Sequence, residues 1–342
     1  MTDGTGTMPG PGAGESALPT VTLALAGDTM LGRGVAERLT LTADPADFFD
    51  TGVRAVLSRA DLVLFNLECC VSARGRRWDP MRKAFHFRAP PQAAAMLAEL
   101  GVHAVTLANN HALDYGHEAL LDTLDHLAAA GIRTVGAGAD LARAWEPAEL
   151  KVGDLRLAVL GVTDHPPDFA ATERRPGVAY ADLGSGVPDR LTSTIGSLAG
   201  GLVLVCVHWG PNMTSKPVTH VRRAARALVK AGASLVAGHS AHVFHGVAGP
   251  VLYDLGDLID DYIVDPELRN DLGLIFLVTL DQRGPVRLRA VPIALDYCRT
   301  RIANDMETRW IRARFTAACA DLGTEVRSEA GTLTVDLRPQ AE

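Results

Sequence analysis

Short, continuously apolar runs rich in valine and leucine alternate with helical patterns along most of this chain. We predict strands at residues 21–27, 62–66, 103–108, 155–162, 202–210, 234–239, 251–255, 272–280 and 286–295. Strands without polar alternation are typical of sheets that are covered on both faces. Because helices separate most of them, the sequence predicts an α/β fold with an at least partly parallel sheet.

The predicted helices have recognisable ends. Two prolines precede residues 92–100, and a glycine directly follows the helical patterns at 117–130 and 219–231. Proline at the start and glycine just past the end are the expected asymmetry of a helix. A last helix is predicted at about 304–321. Since the final strands follow one another without helices, we expect a mixed sheet arrangement.

The length and composition fit one large globular domain. The chain has 342 residues, of which 47% are hydrophobic and 21% charged, so it can bury a substantial core. Residues 1–19 are rich in glycine, proline and small polar residues, which predicts a disordered tail. We expect a single domain over 20–342, with 302–342 as a C-terminal helix and strand extension.

Charge and cysteine content exclude several classes of protein. With 33 lysines and arginines against 40 acidic residues, the net charge is −7, which argues against a nucleic-acid partner. No apolar stretch approaches the roughly 20 residues needed to cross a bilayer, so no membrane partner is expected. Five cysteines without disulfide or CxxC spacing predict reduced thiols and a cytoplasmic location. The oligomeric state stays open.

Polar residues cluster where the apolar runs end, which is where open α/β sheets bind ligands. The five places are Asp28 in AGDTMLGR, Asn66 and Glu68 in NLE, Asn109, Asn110, His111 and Asp114 in ANNHALDYG, His208 in HWG, and His239, His242 and His245 in GHSAHVFHG. Taken singly, most of them also fit a turn or a buried core residue. Three histidines within a few residues are hard to explain as packing, and they predict metal binding.

The ligand types narrow the choice of metal. Carboxylate and amide oxygens together with imidazole nitrogens suit Mn, Zn or Fe and are poor for Ca. A sulfur-rich structural zinc site is not expected, since Cys69, beside Glu68, is the single cysteine in these motifs. The sequence therefore predicts a divalent metal cofactor, with one or two ions.

These motifs, in this order, resemble the CapA family, which is named for a protein of poly-γ-glutamate capsule synthesis. The family's fold is similar to that of the calcineurin-type metallophosphatases. The resemblance covers about residues 20–263 and includes FRAPP at 87–91, GAG at 136–138 and YDLGDLIDD at 253–261. It implies a metallophosphatase-like sandwich of two mixed sheets flanked by helices (α/β/β/α), with metal at the strand ends.

The resemblance also implies residue roles. The implied metal ligands are Asp28, Glu68, Asn110, His208, His239 and His242. The resemblance also makes His111 the candidate acid. From their places in the sequence, His245 and Asp114 are further candidate catalytic residues, and the candidate substrate-binding residues are Arg33, Asn66, Arg88 and Asn109. Arginine matches phosphate and carboxylate, although both arginines also fit surface ion pairs.

The chain departs from the metallophosphatase pattern in three ways. Met30 stands where a histidine is usual, Glu68 replaces a bridging aspartate, and two residues instead of one separate the histidines of GHSAH. A single strongly held ion is therefore an alternative to a metal pair. The Arg-rich segment 73–88 has no apolar period and is predicted to be a loop, with covering the site as one interpretation.

Three functions remain open from the sequence. The first is a hydrolase of a phosphoester or an amide bond in an anionic or peptide-like substrate, using metal-activated water and a histidine acid/base. The second is a metal-dependent, cofactor-independent peptide epimerase in a peptide natural-product pathway, which removes and returns an α-carbon proton. The third is a capsule or poly-γ-glutamate assembly protein. The expected substrate is a small anionic molecule or a peptide.

Overall fold

The computed structural model of the chain describes residues 18–79, 81, 83–329 and 331–338. Two β-sheets pack face to face in it, with helices on their outer faces. The strands within these residues are β1 Val21–Thr29, β2 Leu62–Leu67, β3 Cys70–Val71, β4 Arg88–Ala89, β5 Ala104–Thr106, β6 Arg133–Val135, β7 Ala137–Gly138, β8 Ala148–Val152, β9 Leu155–Thr163, β10 Gly177–Val178, β11 Leu202–His208, β12 Leu235–His239, β13 Val247–Ala248, β14 Val251–Leu252, β15 Asp257–Ile259, β16 Leu272–Asp281, β17 Gly284–Asp296, β18 Arg299–Ile302, β19 Arg327–Glu329 and β20 Thr332–Asp336. The helices are α1 Arg33–Leu39, α2 Pro45–Phe48, α3 Thr51–Leu57, α4 Gln92–Glu99, α5 Gly116–Ala129, α6 Leu141–Ala144, α7 Asp189–Leu198, α8 Thr219–Ala231 and α9 Asp305–Ala320.

Both sheets are mixed. The larger sheet has the order β19-β20-β17-β16-β1-β2-β5-β6, with β15 beside β1 and β18 beside β17. Its strand β1 runs parallel to β2 and antiparallel to β16. The smaller sheet has the order β13-β14-β12-β11-β9-β8, in which β9, β11, β12 and β14 are parallel. The predicted sandwich of two mixed sheets flanked by helices is confirmed.

Alternation along the strands divides the core into layers. Leu23 and Leu25 of β1 face the smaller sheet and join a cluster with Leu204 of β11. Ala24 and Ala26, one residue out of phase, join a second cluster with the helices on the outer face. Side chains of successive strand residues point to opposite faces, so an all-apolar strand is buried on both. The continuously apolar strands of the sequence are therefore explained by their position between two buried layers.

The longer elements lie close to their predicted places, and the short edge elements were not predicted. Helix α8 has the predicted bounds, and α5 is shifted by one residue at each end. Strand β8 was missed because it lies at a sheet edge and exposes Glu149 and Lys151. The ten-residue helix α7 was also missed. The strand predicted at 251–255 ends at Leu252, where the chain turns toward the end of β1.

The C-terminal extension contributes to the main fold. Helix α9 packs Phe315 against Phe244 and Phe276, and β20 pairs with β17 of the larger sheet. The single domain over 20–342 stays a prediction, and most of the predicted tail, 1–17, lies outside the described residues. Among the described residues, no helix has both the length and the apolar character that crossing a membrane requires.

Candidate metal centre

Strand ends from both sheets meet at one place. His208 and His239 are paired in register at the ends of the parallel strands β11 and β12. In the other sheet, Asp28 lies beside Asn66 at the ends of β1 and β2. Since β1 and β12 contact each other across the sandwich, the carboxyl ends of these four strands converge. The convergence of these strands brings the predicted motifs together.

A close approach of backbone brings β15 into the same place. The N–H of Asp28 donates to the carbonyl oxygen of Gly256 at 2.8 Å, and β15 runs parallel to β1 with Asp28 opposite Asp257. A Cβ atom on Gly27 would lie 1.9 Å from that same carbonyl oxygen. Only glycine at position 27 therefore allows the two segments to approach so closely.

The loop after β12 has an uncommon backbone that directs His242 toward the same carboxylates. Ser240 and His242 have φ values of 110° and 59°, in the left-handed region that side chains rarely adopt. Nδ1 of His242 lies 2.8 Å from Oδ1 of Asp257 and 3.4 Å from Oδ2 of Asp28. The strained turn thus holds an imidazole against two carboxylates from different strands.

Four buried side chains form a compact ligand set, which we call the acidic cluster: Asp28, Glu68, His242 and Asp257. Each offers a ligand atom, and these atoms all lie within 4.8 Å of one another. All four residues are less than one tenth exposed. Three carboxylates packed so closely away from water repel one another unless a cation or protons neutralise them. The donor set fits a divalent metal ion.

Unpartnered polar atoms surround the cluster. Both carboxylate oxygens of Glu68, both ring nitrogens of His208 and Nε2 of His239 are buried without a hydrogen-bond partner among the described residues. Nε2 of His208 lies 3.6 Å from Oε1 of Glu68, and Oδ1 of Asn110 is also buried and unpartnered. Leaving such atoms unsatisfied costs about 1–3 kcal/mol each. These atoms fit ligands of a divalent ion.

The electrostatics of the cluster agree with a cation site. Burial, reinforced by Asp28, raises the pKa of Glu68 well above its ordinary value, and burial with Asp260 does the same for Asp257. For Asp28, the effect of burial is outweighed by the hydrogen bond with His239 and by the nearby imidazoles, so its pKa lies below the ordinary range. Burial lowers the pKa of His208, which keeps its imidazole neutral.

His111 and Asp114 form a dyad beside the cluster. Nδ1 of His111 lies 2.6 Å from Oδ2 of Asp114, while Nε2 lies 4.0 Å from Oε1 of Glu68. Asp114 also accepts the N–H of Phe87 at 2.6 Å and pairs with Lys83 at 3.1 Å. A carboxylate at Nδ1 favours the tautomer with the proton on that nitrogen. Nε2 therefore faces the cluster as the free nitrogen, and burial lowers the pKa of His111 to about 4.

Two of the predicted substrate-binding residues orient a cluster carboxylate instead of lining a pocket. The Nδ2 group of Asn109 donates to Oδ1 of Asn66 at 2.9 Å, and that of Asn66 donates to Oδ1 of Asp28 at 2.7 Å. Both asparagines are fully buried. The structure thus places them as a hydrogen-bonded chain that fixes Asp28.

An open pocket of about 390 Å³ lies beside the centre, and we call it the entrance pocket. The described residues that line it are Arg33, Phe85, Phe87, His111, Asn212, Met213, His242, Tyr262, Ile263 and Asn270. Two of its phenylalanines come from the predicted loop 73–88, whose described residues are irregular up to β4. That loop therefore borders the pocket.

Two other predicted residues lie away from the entrance pocket. The guanidinium of Arg88 stacks on Tyr115 at 4.1 Å and donates to the carbonyl oxygen of Arg74. Nε2 of His245 lies 2.7 Å from the carbonyl oxygen of Thr214. Neither side chain is among the described residues that line the pocket. As predicted substrate-binding and catalytic residues, the two are not supported by this geometry.

Sequence reasoning undervalued Asp257. In the sequence it fits a turn residue or a partner that orients a histidine, and it lies two residues beyond the strand predicted at 251–255. The signal that points to it is the density of acidic residues in YDLGDLIDD. Asp254 in the same segment accepts the N–H groups of Ala241 and Gly256, which ties the two loops of the centre together.

A family model covers the part of the sequence that forms the centre. The family model described as bacterial capsule synthesis protein PGA_cap matches residues 22–262, which contain every member of the acidic cluster. The chain belongs to the PGA_cap family. The predicted membership of the CapA family is thereby confirmed.

Named relatives of this PGA_cap chain come from bacteria. The "probable polyglutamine synthesis accessory protein" of Mycobacterium tuberculosis is 34% identical over 74% of this chain and 70% of its own length. The "PGA biosynthesis protein CapA" of Bacillus subtilis is 32% identical over 69% of this chain. The match spans 62% of that Bacillus protein, which is less than two thirds of its length.

Solved structures similar to this PGA_cap chain are distant. The NAD nucleotidase of Haemophilus influenzae is 12% identical, with a TM-score of 0.45 over 85% of this chain and 53% of that one. A hypothetical protein from Thermus thermophilus is 19% identical, with a TM-score of 0.40 over 82% of this chain and 95% of that one. No activity is carried over from similarity at this level.

Proposed function

We propose that this chain is a metal-dependent hydrolase that cleaves a phosphoester or an amide bond in an anionic or peptide-like substrate. The observation that carries the proposal is the convergence of Asp28, Glu68, His242 and Asp257 within 4.8 Å, beside a pocket that His111 also lines. A pocket with convergent polar groups and perturbed pKa values is the usual place for catalysis.

The residues divide into ligands and a proton carrier. The acidic cluster would hold the ion, with His208 and His239 as further ligands. A divalent ion there supplies a water of lowered pKa and polarises a phosphoryl or carbonyl oxygen. His111, fixed by Asp114, is neutral and accepts a proton at Nε2 from water, then returns it to the leaving group.

Peptide epimerisation is the second candidate, and one observation favours it. Both His111 and His242 line the entrance pocket, and in this candidate His242 would carry a proton instead of holding the ion. An epimerase needs one group that removes the α-carbon proton and another that returns it on the opposite face. The names of the relatives favour a third candidate, an accessory role in polymer assembly without turnover.

One experiment separates these candidates. Chelated protein is reloaded with Mn²⁺ or Zn²⁺ and incubated with a panel of phosphoesters and peptides in D₂O, beside the His111→Asn variant. Hydrolysis shortens the substrate, whereas epimerisation keeps its length and adds one deuterium. Metal-dependent cleavage that His111→Asn abolishes supports the proposal. Deuterium incorporation without cleavage, or no turnover by fully metal-loaded protein, contradicts it.

A further inference from the structure

The entrance pocket has an apolar rim. Among the described residues nine large apolar side chains are exposed, and three of them, Phe85, Met213 and Ile263, line this one pocket. Ile263 is 92% exposed, which is a costly position for a branched aliphatic side chain without a partner. Isolated exposed apolar residues are ordinary, but a group around a cleft marks a ligand-binding surface.

The pocket's arginine is already neutralised. The guanidinium of Arg33 pairs with Asp261 through Nε at 3.1 Å and a terminal nitrogen at 2.8 Å. Its Cζ atom lies 5.7 Å from the ring centroids of both Phe87 and Tyr262. Apart from the two histidines, no other residue of the described lining is cationic. A substrate of consecutive carboxylates would therefore find no unpaired cation on these walls.

Specific contacts hold the rim in place. The buried side chain of Asn270 accepts the N–H of Asp265 at 2.8 Å and donates to the carbonyl oxygen of Ile263 at 3.3 Å. On the other wall, the N–H of Met213 donates to the carbonyl oxygen of Ala241, in the loop that carries His242. The apolar side chains are therefore presented by anchored turns, next to the candidate catalytic residues.

From this rim we infer the substrate class. The substrate is a peptide whose aromatic or branched aliphatic side chain occupies the entrance pocket, while its reacting group lies at the neighbouring acidic cluster. The inference rests on the proposed function, because it assumes that the reacting group lies at the acidic cluster. The rim excludes water around an apolar side chain, and the ion pair of Arg33 with Asp261 keeps the wall neutral. An oligomer of γ-linked glutamate lacks the apolar group and brings charges that this wall does not match.

Binding of two matched probes tests the inference without requiring turnover. The probes are N-acetyl-phenylalanyl-alanine amide and N-acetyl-glutamyl-alanine amide, titrated calorimetrically into the metal-loaded protein, with oligo-γ-glutamate as a third ligand. We expect the phenylalanine probe to bind at least roughly tenfold more tightly than either acidic ligand. Tighter or equal binding of an acidic ligand, or no binding of the phenylalanine probe, overturns the inference.

Exposed-residue variants supply the controls. Ile263→Ser is expected to weaken binding of the phenylalanine probe about fivefold and to leave metal content unchanged. Leu41→Ser, which alters an equally exposed residue that does not line the pocket, is expected to change neither. Equal effects of the two variants contradict the inference. If the phenylalanine probe binds preferentially but no substrate turns over, only the proposed hydrolysis is contradicted. If substrates turn over but the phenylalanine probe is not preferred, only the inferred apolar substrate class is contradicted.

Discussion

Asp257 lies directly opposite Asp28 in the parallel pairing of β15 with β1, and one ring nitrogen of His242 contacts both carboxylates, at 2.8 Å and 3.4 Å. Two acidic side chains at neighbouring strand ends would repel each other in a buried place. The imidazole between them and the nearby Glu68 complete a site whose charge calls for a cation. Four expectations about this centre are open to direct measurement.

Asp257→Asn tests whether this aspartate is a ligand. The amide keeps the shape and loses the negative charge, so we expect the affinity for Mn²⁺ to fall about tenfold or more, measured by calorimetric titration of chelated protein. Asp154→Asn is the matched control, because this residue is exposed in the turn between β8 and β9. Unchanged Mn²⁺ affinity in Asp257→Asn would remove this residue from the metal centre.

Gly27→Ala tests the close approach of β1 to the segment that carries Asp257. The added methyl group would lie 1.9 Å from the carbonyl oxygen of Gly256 and force the two apart. We expect weaker Mn²⁺ binding and a loss of about 1–3 kcal/mol in the free energy of unfolding, measured in urea. Gly200→Ala adds a methyl group in open space and is expected to affect neither. Equal behaviour of the two variants would show that the approach is not required.

Asp114→Asn tests the dyad. Without the carboxylate at Nδ1, we expect the tautomer of His111 to change, and turnover of any substrate found to fall on the order of a hundredfold or more, with metal content retained. The tautomer is measured from the ¹⁵N chemical shifts of the imidazole. Asp122→Asn, another buried carboxylate, paired with Arg74, is the control. An unchanged tautomer in Asp114→Asn argues against the role of the dyad.

The acidic residues of the centre predict a pH dependence of stability in chelated protein. Burial raises the pKa of Asp260 from 3.8 to about 6, and the pKa values of Glu68 and Asp257 are also raised. A group whose pKa is raised by folding stabilises the fold at low pH, and this contribution is lost as the pH rises through the folded-state pKa. Carboxyl groups with a lowered pKa, such as Asp28, change the stability only at lower pH, below the ordinary pKa of an aspartate.

Buried His111 and His208, whose pKa values are lowered, change the stability in the opposite direction over the same pH range, so the carboxyl contribution is isolated by comparison with Asp260→Asn. This variant keeps an acceptor for the N–H of Tyr262 and loses only the titrating group. We expect the free energy of unfolding of chelated protein to fall relative to that of Asp260→Asn as the pH rises from about 4 to above 6, when it is measured in urea at constant ionic strength. A constant or rising difference over this range would contradict the assignment.

The long strands and helices were predictable because their causes are local. The apolar run of β11 and the amphipathic pattern of α8 each lie within one short stretch, and proline and glycine indicate the helix ends. The short strand β15 exists only through pairing with the distant strand β1, so no local pattern indicates it. Edge strand β8 escaped prediction because two of its five residues, Glu149 and Lys151, are exposed and interrupt the apolar run.

The sequence by itself determined the layered α/β fold and the placing of Asp28, Glu68, His208 and His239 at strand ends, because alternation and burial act over a few residues. Only the tertiary structure decided that Asp257 joins them, since its position depends on a backbone approach over more than two hundred residues of chain. It also decided where long side chains point: Arg33 pairs with Asp261, and Arg88 stacks on Tyr115. Such choices follow from which partner lies within reach after folding, and that information is not contained in the spacing of residues along the chain.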